Sequence, residues 1–204
     1  MTPGRSGRRK KFQHAPGKSS KKLPLAIGLL IIIGVVAVAV YMFSANNPSG
    51  TGDSGEPAVK VLLQTSMGNI TIQLRDDRPI TTSNFKNLVE QGVYDGTIFH
   101  RVGADFMIQG GMNTSASVAT IPDEVGDNNH NNRGTVAMAK TSEPNSATSQ
   151  FYINVVDNNY LDSDYTVFGT VISGMDVADA ISNVAVNGEQ PVTDVVLIKA
   201  EIIS

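Results

Sequence analysis

Residues Leu23–Phe43 form a run of 21 residues with no charge (LPLAIGLLIIIGVVAVAVYMF), and no other feature constrains the chain so strongly. At about 1.5 Å per residue the run makes a helix about 31 Å long, matching the roughly 30 Å hydrocarbon core of a bilayer. A buried core helix rarely lacks polar residues over 21 positions, and the basic cluster just before the run gives it the flank asymmetry of a membrane anchor. A cleavable signal peptide carries an apolar stretch of only about 7–15 residues. Length therefore favours an uncleaved anchor, although Ala37 and Ala39 offer a small-x-small site that leaves cleavage open. Residues 1–22 hold eight Lys/Arg and no acid, so the positive-inside rule keeps them in the cytoplasm and sends everything after Phe43 across the membrane. The expected organisation is a basic cytoplasmic segment (1–22), a transmembrane helix (23–43), a linker (44–57) and one extracytoplasmic domain (58–204). The protein would then be single-pass in the cell membrane.

The linker, Ser44–Pro57 (SANNPSGTGDSGEP), is almost wholly small, polar, Gly or Pro, a composition that cannot bury enough surface to offset its ordering entropy. As flexible chain it spans roughly 20 Å root-mean-square, enough to hold a domain just off the membrane. From residue 23 onward, eight basic residues stand against nineteen acidic ones. The body is acidic and lacks the basic face that nucleic-acid binding requires. The chain has no cysteine, which removes disulfides, thiolate zinc sites and thiol nucleophiles.

After Ala58 the pattern is of short strands. Val59–Thr65 and Asn69–Leu74 flank a Ser-Met-Gly-Asn turn and predict a hairpin, with Ile70, Ile72 and Leu74 on one face. Pro79 with Thr81 or Thr82 predicts a helix start, Phe85, Leu88 and Val89 share its apolar face, and Gly92 ends it. Further strands are expected at 97–102, 135–139, 149–155, 167–172 and 194–203, with a second helix over 176–183. This predicts a mainly β domain, an antiparallel barrel plugged at its ends. Asp123, Glu124, Asp127 and His130 cluster in sequence but lack the ligand spacing of a calcium loop, and are expected to lie in a solvated loop with no metal.

The chemistry-bearing segments are Phe99-His100-Arg101-Val102, Phe106-Met107-Ile108-Gln109-Gly110-Gly111, Ala137-Met138-Ala139, Ser146-Ala147-Thr148-Ser149-Gln150-Phe151-Tyr152-Ile153, Tyr160-Leu161-Asp162 and Val167-Phe168-Gly169. In this order and spacing the chain resembles the cyclophilin family of peptidyl-prolyl cis-trans isomerases, from about Val59 to the C-terminus. The resemblance implies a closed eight-stranded antiparallel barrel capped by two helices, with peptide bound in a groove on its outer surface. It assigns Arg101 as the catalytic residue and Phe106, Met107, Tyr152 and Leu161 as walls of the proline pocket. Gln109 and Gln150 would hold the peptide backbone, and Ala139 and Lys140 would line the neighbouring subsite. Tyr160 stands where well-known eukaryotic members carry Trp, Tyr165 where they carry His, Lys140 where they carry Asn, and Tyr152 where they carry Phe. Tyr165 and the Asn-rich loop 128–132 resemble the compact bacterial branch.

These residue types suit the reaction. Rotation about an X-Pro bond meets a barrier of roughly 18–20 kcal/mol set by amide resonance, and no bond is made or broken. The catalyst must bind the twisted amide better than either planar form. Twisting localises the lone pair on the prolyl nitrogen, where a fixed guanidinium donates a hydrogen bond that is strongest at that point. No metal or organic cofactor is called for, and the expected partners are proline-containing polypeptides, met by a monomer. Taken alone, Arg101 reads as a surface ion-pair partner; the surrounding motif outweighs that reading. His100 is expected to be structural, since rotation transfers no proton. A rival function uses the same groove to retain unfolded segments, with isomerisation incidental.

Overall fold

The computed structural model describes residues 58–203. The basic segment, the anchor and the linker lie outside them, and no helix among the described residues is long and apolar enough to cross a membrane. The chain opens with the hairpin β1 (Lys60–Thr65) and β2 (Gly68–Leu74). Every second residue of it is buried, as alternation across a pleat requires: Val61, Leu63, Ile70 and Ile72 are fully enclosed. Helix α1 (Pro79–Glu90) follows with Pro at its start, presenting Thr81, Phe85, Leu88 and Val89 inward. Strands β3 (Thr97–Ile98), β4 (Arg101–Val102), β5 (Met107–Gly110), β6 (Thr135–Met138) and β7 (Phe151–Asn154) come next. A 3-10 turn at Asn159–Leu161 precedes β8 (Val167–Ser173), α2 (Met175–Ser182), the short ribbon β9 (Val186–Asn187) and β10 (Gln190–Pro191), and finally β11 (Val196–Ile203).

Nine strands form one antiparallel sheet in the order β3-β11-β1-β2-β8-β6-β7-β5-β4, and β9 with β10 makes a separate two-stranded ribbon. The main core lies on the inner face of the curled sheet, where Phe85, Tyr94, Phe151 and Phe168 meet at centroid separations of 4.9–5.5 Å. Helix α2 is seated by Gly174, which adopts φ +82° and whose added Cβ would lie 2.1 Å from the Asn69 carbonyl oxygen. Only glycine fits there.

The expected closed eight-stranded barrel is corrected on two points: the sheet has nine strands, and it does not close. Its two edges are β3 and β4, the halves of the single strand expected over 97–102. Between them Phe99 turns its ring into the core at 1% exposure and sends its N–H to the Val195 carbonyl. The ladder is thereby interrupted at Phe99–His100, and the edges approach without pairing.

Candidate active site

The register of four strands assembles one row of side chains on the outer face. Arg101 on β4 is paired with Gln109 on β5, Gln109 with Tyr152 on β7, and Tyr152 with Ala137 on β6. Residues paired across a sheet point to the same side, so these four share a face, joined by Met107 two positions from Gln109. The alternate residues Val102, Ile108, Ile153 and Val136 face inward and belong to the main core. Met107, Ala137, Ala139, Tyr152 and Val167 make a second, smaller apolar cluster on the outer side, with Phe106, Leu161 and Tyr165 packed against it. The four-residue strand β5 is thus clad on both faces.

Above that cluster lies a cavity of about 230 Å³ lined by Arg101, Phe106, Met107, Gln109, Ala139, Lys140, Tyr152, Leu161 and Tyr165. Nine of the eleven residues expected at the site therefore meet around one hollow. Gln150 supports it from behind, its Oε1 accepting from Gln109 Nε2 at 2.9 Å. Tyr160 stands at the rim, 70% exposed, stacked on Phe106 with centroids 6.3 Å apart and planes 17° apart. Phe106 and Met107 both reach the hollow because Phe106 precedes β5. It sits in a turn closed by its N–H to the Gly103 carbonyl at 3.2 Å, so strand alternation does not apply to it.

The pocket walls are held by asparagines. Asn131, fully buried, accepts the Tyr152 hydroxyl at 2.7 Å and the Asn154 amide at 3.2 Å. Asn129 donates to the carbonyls of Asp162 and Tyr165 at 2.6 and 2.9 Å and accepts the Val167 N–H at 2.8 Å. Asn158 holds the Phe106 carbonyl at 2.9 Å. Asp162 accepts the Asn131 N–H at 2.6 Å; burial favours its neutral form, but this bond and those from the His130 and Asn131 side chains outweigh burial and lower its pKa. The Asn-rich loop 128–132 is the bracket that fixes Tyr152 and the Leu161–Tyr165 segment.

Arg101 lies with its Cζ 5.5 Å from the Phe106 ring centroid, and its hydrogen bonds to Glu189 raise an already high pKa. Lys140 is nearly buried and paired with Asp123 at 2.9 Å, with its Nζ 5.7 Å from the Tyr165 ring centroid. Burial pushes the Tyr152 hydroxyl well above its ordinary range. His100 lies off the groove, its buried Nδ1 without a partner and its pKa lowered by burial. The acidic loop is not simply solvated: Asp123 serves Lys140, and Glu124 accepts the Ile80 and Thr81 N–H groups at 3.1 and 2.7 Å. Glu124 thereby satisfies two of the orphan donors at the start of α1. Sequence reasoning missed Glu189 and Asp123 as neighbours of the site, and no local motif marks either.

The sequence model of the family described as "Cyclophilin type peptidyl-prolyl cis-trans isomerase/CLD" matches residues 60–202. A peptidyl-prolyl cis-trans isomerase of Acinetobacter baylyi is 51% identical over 135 residues, 61% of this chain and 72% of the relative. Peptidyl-prolyl cis-trans isomerase A of Dickeya dadantii is 47% identical over 169 residues, 78% of this chain and 87% of the relative. Among solved structures, a cyclophilin type peptidyl-prolyl cis-trans isomerase of Cryptosporidium parvum in the presence of the dipeptide Ala-Pro superposes with a TM-score of 0.66 at 27% identity. The match covers 71% of this chain and 99% of that one.

Proposed function

The chain belongs to the cyclophilin-type peptidyl-prolyl cis-trans isomerase family, and from that premise we propose that the hollow beside Arg101 is where the X-Pro bond turns. The activity is peptidyl-prolyl cis-trans isomerisation. Met107, Tyr152, Phe106 and Leu161 receive the proline ring and exclude water from it. Arg101 donates to the prolyl nitrogen as its lone pair localises in the twisted amide, in a setting where the hydrogen bond is worth more than in water. Gln109 and Gln150 hold the peptide backbone, and Ala139, Lys140 and Tyr165 bound the adjoining subsite. Tyr160 extends the rim by stacking on Phe106. One observation carries this reading: a guanidinium that cannot deprotonate at neutral pH lines the same small apolar hollow as a nearly buried Met and Tyr.

The substrates are proline-containing segments of exported or membrane-proximal polypeptides, whose folding the enzyme assists. The related Cryptosporidium parvum isomerase, whose structure was solved in the presence of the dipeptide Ala-Pro, supports proline-containing peptides as the substrate class. The uncharged run Leu23–Phe43 behind eight basic residues supports attachment to the cell membrane with the isomerase domain outside.

The test is cis-trans exchange of an Ala-Pro peptide. Arg101→Ala is expected to lower kcat/KM by about 100-fold, the loss of one preorganised donor worth roughly 3 kcal/mol. Arg101→Lys recovers little, because a flexible ammonium cannot reproduce the planar fork. A folded Arg101→Ala with near-native turnover would remove Arg101 from the mechanism and favour the peptide-holding role.

A further inference from the structure

Arg101 is already engaged before any substrate arrives. Its Nε donates to Glu189 Oε2 at 2.8 Å and its Nη2 to Oε1 at 3.0 Å, a two-bond fork between residues 88 apart in the chain. Glu189 sits in the two-residue loop Gly188–Glu189 that joins β9 to β10. Gly188 opens this loop with φ +67°, as a tight hairpin with glycine at its first central position requires. The Glu189 carbonyl accepts the Val102 N–H at 2.7 Å. The loop is therefore fastened to β4 twice, by backbone at Val102 and by side chain at Arg101.

Stability does not account for this contact. The two side chains are 41% and 54% exposed, where solvent screening leaves an ion pair little net value. The ribbon adds little to the core either: Val186, Asn187 and Gln190 are exposed, and Pro191 alone is buried. What the fork does is geometric. A guanidinium carries five N–H donors, and Glu189 takes the Nε–H and one on Nη2. The Nη1 edge stays available to the groove while the plane of the group is held. An arginine in water would otherwise lose its rotamer freedom as it met the twisted amide, and the gain from a donor depends on its being in place beforehand.

We propose that Glu189 is a positioning residue for the isomerase: it grips Arg101 by the Nε/Nη2 edge and so presents the Nη1 edge to the prolyl nitrogen. The inference rests on Arg101 being the donor to the twisted amide. The experiment is kinetic, on the detergent-solubilised full chain with an Ala-Pro peptide, comparing wild type, Glu189→Ala, Glu189→Gln, Arg101→Ala and the Arg101→Ala/Glu189→Ala double variant. Glu189→Ala is expected to lower kcat by about 10-fold with KM changed less than about twofold, since it loosens a donor and removes no substrate contact. Glu189→Gln keeps the side-chain volume but loses one acceptor oxygen, and is expected to move in the same direction. The double variant is expected to be no slower than Arg101→Ala, because Glu189 acts only through Arg101. Unchanged or faster turnover in Glu189→Ala, a loss carried by KM, or an equal further loss in the Arg101→Ala background would each overturn the inference and leave the Arg101 reading intact. Native turnover in Arg101→Ala would overturn both.

Discussion

Burial and pairing move the pKa of several groups in and near the groove away from neutral pH. Glu189 hydrogen-bonded to Arg101 falls below the ordinary glutamate range, and Arg101 rises in return. The Tyr152 hydroxyl is pushed up by burial, while the half-buried His100 is pushed down. A lowered carboxylate stays charged until the pH drops below the usual glutamate value of about 4.3, so the Arg101–Glu189 fork persists at neutral pH and is lost only on the acid side. The expected kcat/KM is flat from about pH 7 to 9. A bell-shaped profile in that range, read with the Ala-Pro peptide, would mean that a proton moves in the rate-limiting step, which rotation about an amide does not need. At this scale the motif-borne residues were legible, because Phe99–Gln109 and Ser146–Ile153 are short segments whose spacing survives in sequence. Glu189 was not legible: a glutamate after a glycine near a turn is common, and only folding brings it to β4.

Strand β5 shows where period-two reasoning stops. Met107 and Gln109 face the groove while Ile108 and Gly110 face the core, so apolar residues occupy both sides and the alternation that revealed β1 and β2 disappears. The break between β3 and β4 was equally hidden, since Thr97–Val102 reads as six residues of uninterrupted strand. The acids of the loop before β6 lack ligand spacing and predict a solvated loop, yet Asp123 is paired with Lys140 just beyond β6. The Lys140 and Asp123 side chains there are only 8% and 15% exposed, and Asp123 also accepts the Asn145 N–H at 3.0 Å. Removing one partner of such a pair leaves the other charge enclosed, whereas replacing both is tolerated. Asp123→Ala is expected to destabilise the domain by about 3 kcal/mol, and Asp123→Ala/Lys140→Met to recover most of that loss. Urea unfolding of the three proteins checks it, and equal stability of Asp123→Ala and wild type would show the pair to be solvated after all.

For the molecule as a whole, two features of the sequence are separate along the chain. The isomerase groove needs only residues of the curled sheet and its loops, all within the stretch that matches the family, 60–202. The uncharged run Leu23–Phe43 and the eight basic residues before it lie outside that stretch of sequence, and what they imply is a matter of membrane orientation. Lys and Arg close to the end of a spanning run set its orientation, so the eight basic residues are expected to stay on the cytoplasmic side. The acidic body is not expected to oppose that orientation, because large domains cross largely regardless of charge and acidic residues contribute little to it. Protease added to intact cells or protoplasts is therefore expected to cut within the Gly- and Ser-rich residues 44–57 and release the isomerase domain. The basic N-terminus and the apolar run should stay with the membrane as a short fragment. Immunoblots against tags at the two ends distinguish the outcomes. A C-terminal tag that stays protected until the membrane is permeabilised would reverse the orientation, and a mature protein that already lacks residues 1–39 before protease is added would mean cleavage at Ala37-x-Ala39 in place of anchoring.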